Sequence, residues 1–282
     1  MSSVNSISTD KLARLIGRPD CPVLIDVRTD EDFACDPRMI PGSVRRPWAA
    51  VADWAPDYRG RPSIVICHRG LKLSQGVAAW LRQTGAPADY LDEGSSGWAQ
   101  AGLPMVPEAK LPPRNREGRT VWVTRSRPKI DRIACPWLIR RFVDRQAVFL
   151  FVSPSAVAGV AERFAATPFD IEGETVFWSH RGESCTFDTM VEEFGLATEP
   201  LLRLAAIVRG ADTGRPELAP EAPGLLAASL GLSRMYADDL EQLEAGMTLY
   251  DAFYRWCRDA VDETHNWPGT KPQSRRLLEG SR

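Results

Sequence analysis

The sequence predicts an α/β domain followed by a mostly helical α+β domain. Two short apolar runs, 23–25 and 64–66, have the β-branched composition of parallel strands that helices cover on both faces. Four prolines in the stretch 104–119 then interrupt the periodic pattern, as expected of a linker. Helical spacing dominates after it, and 282 residues suit about two domains.

In the first half, the predicted elements alternate between helix and strand. Ser8 or Thr9 can cap a short helix, the two apolar strands follow, and a helix over 76–84 ends at Gly85. Strands that alternate with helices form a doubly wound parallel sheet, which binds ligands outside the carboxyl ends of its strands.

In the second half, two strands and five helices are predicted. The strands are 120–124 and 147–152, and the helical segments are 136–143, 154–165, 187–194, 200–209 and 237–260. The predicted domain boundaries are 1–107 and 120–264, with a linker at 108–119 and a polar tail at 265–282. We expect the tail to be disordered, as chain termini often are.

Composition excludes several classes of protein. A net charge of -2 argues against a globally basic nucleic-acid binder, and no apolar run approaches the ~18 residues of a membrane helix. The six cysteines lie far apart and form no CxxC pair, which argues against a disulfide framework or a cysteine-paired zinc site. Three histidines are too few for a His-rich metal site. Without a secretory signal in the first twenty residues, we expect a cytoplasmic protein.

Cys67 occupies the turn between the strand at 64–66 and the helix after it. Such a turn aims backbone N–H groups and the positive end of the helix dipole at one point. Together with Arg69 and Lys72, these donors would stabilise a thiolate and hold an oxyanion or a persulfide sulfur. Gly70 lets the backbone curl. The alternative is a buried structural cysteine. The loop that would surround the bound anion, called the ring below, consists of Cys67, His68, Arg69, Gly70, Leu71 and Lys72.

Four motifs in order resemble those of a single rhodanese domain. They are Leu24-Ile25-Asp26-Val27-Arg28, Ile40-Pro41-Gly42-Ser43, the Cys67 loop and the run 94–104. The resemblance covers 10–107 and implies a five-stranded parallel α/β domain whose Cys67 passes sulfane sulfur from a thiosulfate-like donor to a thiophilic acceptor. Sulfur transfer would need no cofactor. We expect the ring residues 68–72, together with Asp26 and Arg28, to bind the oxyanion.

A phosphatase of the Cys-x5-Arg kind is disfavoured. The sixth position after Cys67 is Leu73, which cannot clamp a phosphate as arginine does. A six-residue ring suits a smaller, sulfur-centred anion instead.

The stretch 113–145 is strongly basic, with ten Lys or Arg against three acids. Such a stretch can attract a nucleic acid, an acidic protein face or a small oxyanion. The alternative is a solvated or internally paired face, for which the acid-rich segment 238–263 offers partners.

His180 is the candidate metal ligand of the second half. With Asp131 and Asp212 it could offer one nitrogen and two oxygens to a divalent or trivalent ion. Arg132 would add the charge that draws an anion toward such a centre. The alternative is a structural histidine that donates a hydrogen bond within a loop.

Three further motifs resemble the C-terminal domain of the chromate-resistance, ChrB-type, family. They are the runs 127–142, 180–182 together with 185–187, and 207–213, and the resemblance covers 119–260. It implies a role in chromate resistance as sensor, regulator or auxiliary factor of chromate efflux. A rhodanese domain stands where the family's regulators have another N-terminal region, which argues against direct DNA binding.

These observations lead to three hypotheses. The first is a sulfurtransferase in which Cys67 carries persulfide sulfur from a small oxyanion donor to a thiol acceptor, coupled to a chromate-resistance domain. The second is an oxyanion- or metal-sensing regulator of chromate efflux with little catalytic turnover. The third, a chromate reductase, lacks a flavin or nicotinamide fingerprint and would need electrons from thiols.

Overall fold

The computed structural model describes residues 5–173 and 176–263, so the predicted tail at 265–282 lies outside the described residues. The strands are β1 (Ser6–Ile7), β2 (Val23–Asp26), β3 (Arg38–Met39), β4 (Ser43–Arg45), β5 (Ser63–Ile66), β6 (Ala88–Leu91), β7 (Val106–Pro107), β8 (Val121–Arg125), β9 (Val148–Val152) and β10 (Thr167–Pro168). The helices are α1 (Thr9–Ala13), α2 (Asp30–Cys35), α3 (Val51–Trp54), α4 (Lys72–Gln83), α5 (Gly94–Gln100), α6 (Ile130–Leu138), α7 (Val157–Phe164), α8 (Thr186–Glu193), α9 (Glu199–Asp212), α10 (Ala222–Met235) and α11 (Asp239–Asp259).

The first half folds around a five-stranded sheet in the order β1-β6-β5-β2-β4, and every pairing in it is parallel. Successive side chains of β5 enter different cores. Ile64 and Ile66 join the cluster that contains Trp98 of α5, whereas Val65 joins the cluster that contains Leu81 of α4. Helices therefore cover both faces, which confirms the doubly wound parallel sheet. The carboxyl ends of β2, β5 and β6 meet at one edge.

The second half combines a parallel three-stranded sheet, in the order β10-β8-β9, with a group of packed helices. Trp137 is fully buried among the rings of Phe142, Phe187, Tyr250 and Tyr254. This mostly helical arrangement confirms the predicted class. Among the described residues, no helix is both long and apolar enough to cross a bilayer.

Helix α6 differs from the prediction. It begins at Ile130, well before the predicted start at 136, and Pro136 lies inside it. A π-helical turn, Ile139–Val143, continues the helix. Proline disrupts a helix because it lacks an N–H, but here burial of Ile133 and Trp137 outweighs that loss.

The two halves share one hydrophobic core. Ile16 belongs to the same buried cluster as Phe142 and Tyr254. Gly17 has φ +80°, and a Cβ added there would lie 2.5 Å from Cζ of Phe142. The N–H of Gly42 donates to the carbonyl of Phe142 at 2.6 Å. Backbone pairing also holds the start of the connection between the halves, because β7 pairs with β3 just before the predicted linker.

Candidate functional site

Cys67 follows β5 directly, and α4 begins at Lys72, so the sequence-predicted turn is present. The cysteine is 4% exposed. Its Sγ lies 3.1 Å from Oγ of Ser74, whose hydroxyl donates to the carbonyl of Leu71 at 3.2 Å and can accept from the thiol. The first N–H groups of α4 have no partners within the helix, which leaves them available to an anion beside the sulfur.

The start of α5 holds the Cys67 loop in place. The N–H groups of Ser95 and Ser96 donate to the carbonyls of Cys67 and His68, each at 2.9 Å. Gly94 has φ +61°, and a Cβ there would lie 2.2 Å from the carbonyl oxygen of Cys67. The motif at 94–104 is therefore part of the scaffold of the cysteine loop.

The other side of the loop depends on Gly70. This residue has φ +68°, and a Cβ there would lie 2.5 Å from the carbonyl oxygen of Leu91. Arg69, Leu71 and Lys72 are exposed at the surface of the loop, and His68 is half-buried. The two cations are therefore accessible to solvent on the loop that carries Cys67.

Asp26 and Arg28 form a buried ion pair, and oxyanion binding by these residues stays a prediction. The two side chains are 2% and 1% exposed and form an ion pair with Nη2 of Arg28 2.6 Å from Oδ2 of Asp26. The guanidinium also donates to the carbonyls of Asp36 and Arg38, at 2.9 and 2.7 Å. Since these bonds use the arginine inside the protein, the pair fixes the end of β2 and faces no solvent.

In the second domain, His180 meets three carboxylates. Its Nε2 lies 3.5 Å from Oδ2 of Asp131, 3.4 Å from Oδ1 of Asp170 and 3.4 Å from Oδ2 of Asp212. The structure thus brings together the three residues named from the sequence and adds Asp170. We call these four residues the His180 cluster.

Each member of the His180 cluster comes from the end of a different element. Asp131 lies in the first turn of α6, and Asp212 is the last residue of α9. Asp170 follows β10 with φ +50°, and His180 lies in the loop before α8. Asp170 was missed from the sequence because the strand before it has only two residues and no apolar run.

Thr186, the first residue of α8, orients two of the carboxylates. Its N–H donates to Oδ2 of Asp131 at 2.6 Å, and its hydroxyl donates to Oδ1 of Asp170 at 2.9 Å. Asp131 is 1% exposed, and its Oδ1 has no hydrogen-bond partner among the described residues.

The His180 cluster carries more negative than positive charge. Burial, reinforced by the neighbouring carboxylates, raises the pKa of Asp131 to about 7 despite the contact with His180. The contacts with Asp131, Asp170 and Asp212 raise the pKa of His180 to about 12. Burial opposes ionisation of Asp170, but His180, Thr186 and Arg132 outweigh it and lower its pKa. Such a group attracts a cation.

Arg132 lies beside this cluster, as expected from the sequence. Its Nε is 3.3 Å from Oδ2 of Asp170, and its Nη1 donates to the carbonyl of Ser126 at 3.2 Å. Its side chain is 18% exposed. The charge therefore balances Asp170, and attraction of an external anion stays a prediction.

Two further cysteines lie near the cluster, and both are buried. Burial raises the pKa of the Cys135 thiol well above its usual range, and it does the same for Cys185. Both thiols are therefore poor candidates for ligands or nucleophiles.

The basic stretch at 113–145 proves to be paired internally to a large extent. Arg140 pairs with Glu244, and Arg141 with Asp251, at 2.6 and 2.8 Å. These acids lie in the segment 238–263, which confirms the internally paired alternative for these arginines.

Two family models match the chain. The model of the Rhodanese-like domain matches residues 8–101, and that of the ChrB C-terminal domain matches residues 122–257. Protein ChrB of Cupriavidus metallidurans is 34% identical over 149 residues, which are 50% of this chain and 42% of that protein. The chain thus matches less than half of the length of this relative.

Solved structures are similar to the chain over little more than a third of its length. A rhodanese-related protein from Thermoplasma volcanium is 24% identical with a TM-score of 0.33, covering 37% of this chain and 99% of that one. Thiosulfate sulfurtransferase from Pseudomonas aeruginosa is also 24% identical with a TM-score of 0.33, covering 37% of this chain and 20% of that one.

Proposed function

The chain joins a rhodanese-like domain to a ChrB C-terminal domain, and from this premise we propose that it is a sulfurtransferase that serves chromate resistance. Cys67 carries the sulfur as a persulfide. One observation above all supports this function. A buried thiol stands at the N-terminal end of α4 with the hydroxyl of Ser74 3.1 Å from its sulfur, in a loop that two glycines hold against β6 and α5.

The transfer proceeds in two balanced steps. The thiolate of Cys67 attacks the outer sulfur of thiosulfate, the sulfur–sulfur bond of the donor breaks, and sulfite leaves with its electron pair. A thiolate or cyanide acceptor then takes the outer sulfur of the persulfide, and the Cys67 thiolate is released. Arg69 and Lys72 are exposed beside the loop, where they attract the dianionic donor.

Mass spectrometry of the full chain after thiosulfate treatment tests this function. We expect one added sulfur atom on Cys67 and loss of turnover in Cys67→Ser. Cys35→Ser is the matched control because Cys35 is exposed and lies outside the loop. Full turnover in Cys67→Ser, or sulfur carried only on another cysteine, would overturn the proposal.

A second candidate function is an oxyanion- or metal-sensing regulator of chromate efflux. The convergence of three carboxylates on His180, at 3.4 to 3.5 Å, favours it. A chromate-sensitive host that carries either Cys67→Ser or His180→Ala separates the two functions. Loss of tolerance only with Cys67→Ser supports sulfur transfer, and loss only with His180→Ala supports sensing.

A further inference from the structure

We propose that the second domain holds a divalent first-row metal ion between His180, Asp131 and Asp170, with Asp212 beside the ion. This inference does not depend on sulfur transfer at Cys67. The ligand atoms of His180, Asp131 and Asp170 all lie within 4.8 Å of one another.

The distances around His180 match those expected of ligands that share one ion. A single N–H can point at one acceptor, whereas Nε2 has three carboxylate oxygens at nearly equal distances of 3.4 to 3.5 Å. Neighbouring ligands of a tetrahedral ion with bonds of ~2.1 Å are about 3.4 Å apart. The separations from Nε2 therefore match those of ligands that share one ion.

An independent observation is the unpartnered oxygen of Asp131. This side chain is 1% exposed, and its Oδ1 accepts no hydrogen bond from the described residues. Buried polar atoms are almost always partnered, so an orphan atom needs an explanation. Oδ1 belongs to the same carboxylate as Oδ2, which lies 3.5 Å from Nε2 of His180, so a cation bound by this carboxylate can supply the missing partner.

The surroundings hold the ligands in position. Thr186 donates to Asp131 through its N–H and to Asp170 through its hydroxyl, and Arg132 contacts the other oxygen of Asp170. Partners of this kind fix the orientation of metal-binding carboxylates. His180 and Asp212 are 42% and 21% exposed, so the cluster opens to solvent on their side.

The donor set selects the class of ion. One imidazole nitrogen with carboxylate oxygens and no thiolate suits Mn²⁺, Fe²⁺ or Zn²⁺. Calcium and magnesium prefer oxygen alone, and soft ions such as Cu⁺ prefer sulfur. The exposed side leaves room for water or a small oxyanion on the ion.

Metal titration of the full chain tests this site. After chelation and dialysis, Mn²⁺ is added and free Mn²⁺ is followed by electron paramagnetic resonance, and Zn²⁺ is followed by calorimetry. We expect one ion per chain, with affinity reduced at least ~10-fold in His180→Ala and in Asp170→Asn. Glu192→Gln, an exposed acid on α8, is the matched control and should bind as the wild type does.

Thermal unfolding distinguishes a variant that has lost the metal site from a variant that has failed to fold. The bound ion should raise the Tm of the wild type and of Cys67→Ser, but not that of His180→Ala. If neither Mn²⁺ nor Zn²⁺ binds stoichiometrically, or if both variants bind as the wild type does, the site is refuted. His180→Ala should still form the persulfide on Cys67, so failure of one proposal leaves the other intact.

Discussion

Oγ of Ser74 lies 3.1 Å from Sγ of Cys67, although seven positions separate the two residues. The strand-to-helix turn carries the chain back so that the first turn of α4 meets the end of β5. A hydroxyl can accept a hydrogen bond from a thiol and donate one to a thiolate. With its hydrogen on the carbonyl of Leu71, Ser74 accepts from the thiol, and rotation of the hydroxyl about its C–O bond lets it donate to the thiolate instead.

Replacement of Ser74 by alanine should slow sulfur transfer. A hydrogen bond to a charged group contributes about 1.5–3 kcal/mol, which corresponds to a roughly 10- to 100-fold decrease in kcat. Thiocyanate release from thiosulfate and cyanide measures the change. Ser96→Ala is the control because its hydroxyl contacts only the side chain of Gln100 among the described groups. Wild-type kcat in Ser74→Ala would show that this hydroxyl takes no part.

The exposed cations of the loop should control donor binding. Arg69→Ala and Lys72→Ala should each raise the KM for thiosulfate several-fold at low ionic strength, and the difference from wild type should shrink in salt because exposed charges are screened. Steady-state kinetics at two salt concentrations measure this, with the distant Arg163→Ala as control. An unchanged KM at low salt would place the donor elsewhere.

The glycine that supports the loop should tolerate no side chain. Gly94→Ala places a Cβ 2.2 Å from the carbonyl of Cys67 at φ +61°, so turnover should fall and stability should drop by more than ~1 kcal/mol. Gly76→Ala is a sharp contrast, since this glycine lies inside α4 with open space around it. That variant should gain about 0.5–1 kcal/mol. Urea unfolding compares the two, and equal stability would contradict the packing described for the loop.

The pair Asp26–Arg28 should matter for stability. Removal of a partner from a buried ion pair costs about 3–5 kcal/mol, whereas an exposed pair contributes ~0–1 kcal/mol. Arg28→Ala should therefore lose far more free energy of unfolding than Arg38→Ala, whose partner Asp36 forms the same i, i+2 pair at the surface. If Arg28→Ala unfolds like Arg38→Ala but raises the KM for thiosulfate, the result would support the sequence-based prediction that this pair binds the oxyanion.

The sheet of the first domain was predictable because its strands are buried on both faces. The runs 23–25 and 64–66 are continuously apolar, and both became strands at the centre of the sheet. Helix α10 was missed because Pro223, Gly224 and Gly231 interrupt its pattern. It forms by close packing on α9, where a Cβ added at Gly210 would lie 2.9 Å from Cβ of Ala222.

The two sites differ in how far the sequence could define them. Cys67 and its ring are one continuous segment, so the local turn sufficed to predict their arrangement. His180, Asp131 and Asp212 come from distant parts of the chain, and their convergence depends on how α6, α8 and α9 pack. Asp170 had no local signal at all, because a two-residue strand leaves no pattern.

Because the two halves share one core, proteolytic cleavage between them should leave the two fragments associated. Residues 113–117 are exposed and include Arg114 and Arg116, so trypsin can cut there. That cut leaves the contacts of Gly17 and Gly42 with Phe142 untouched. The two fragments should then elute together in gel filtration and separate only in denaturant, because they are joined as the subunits of a heterodimer would be.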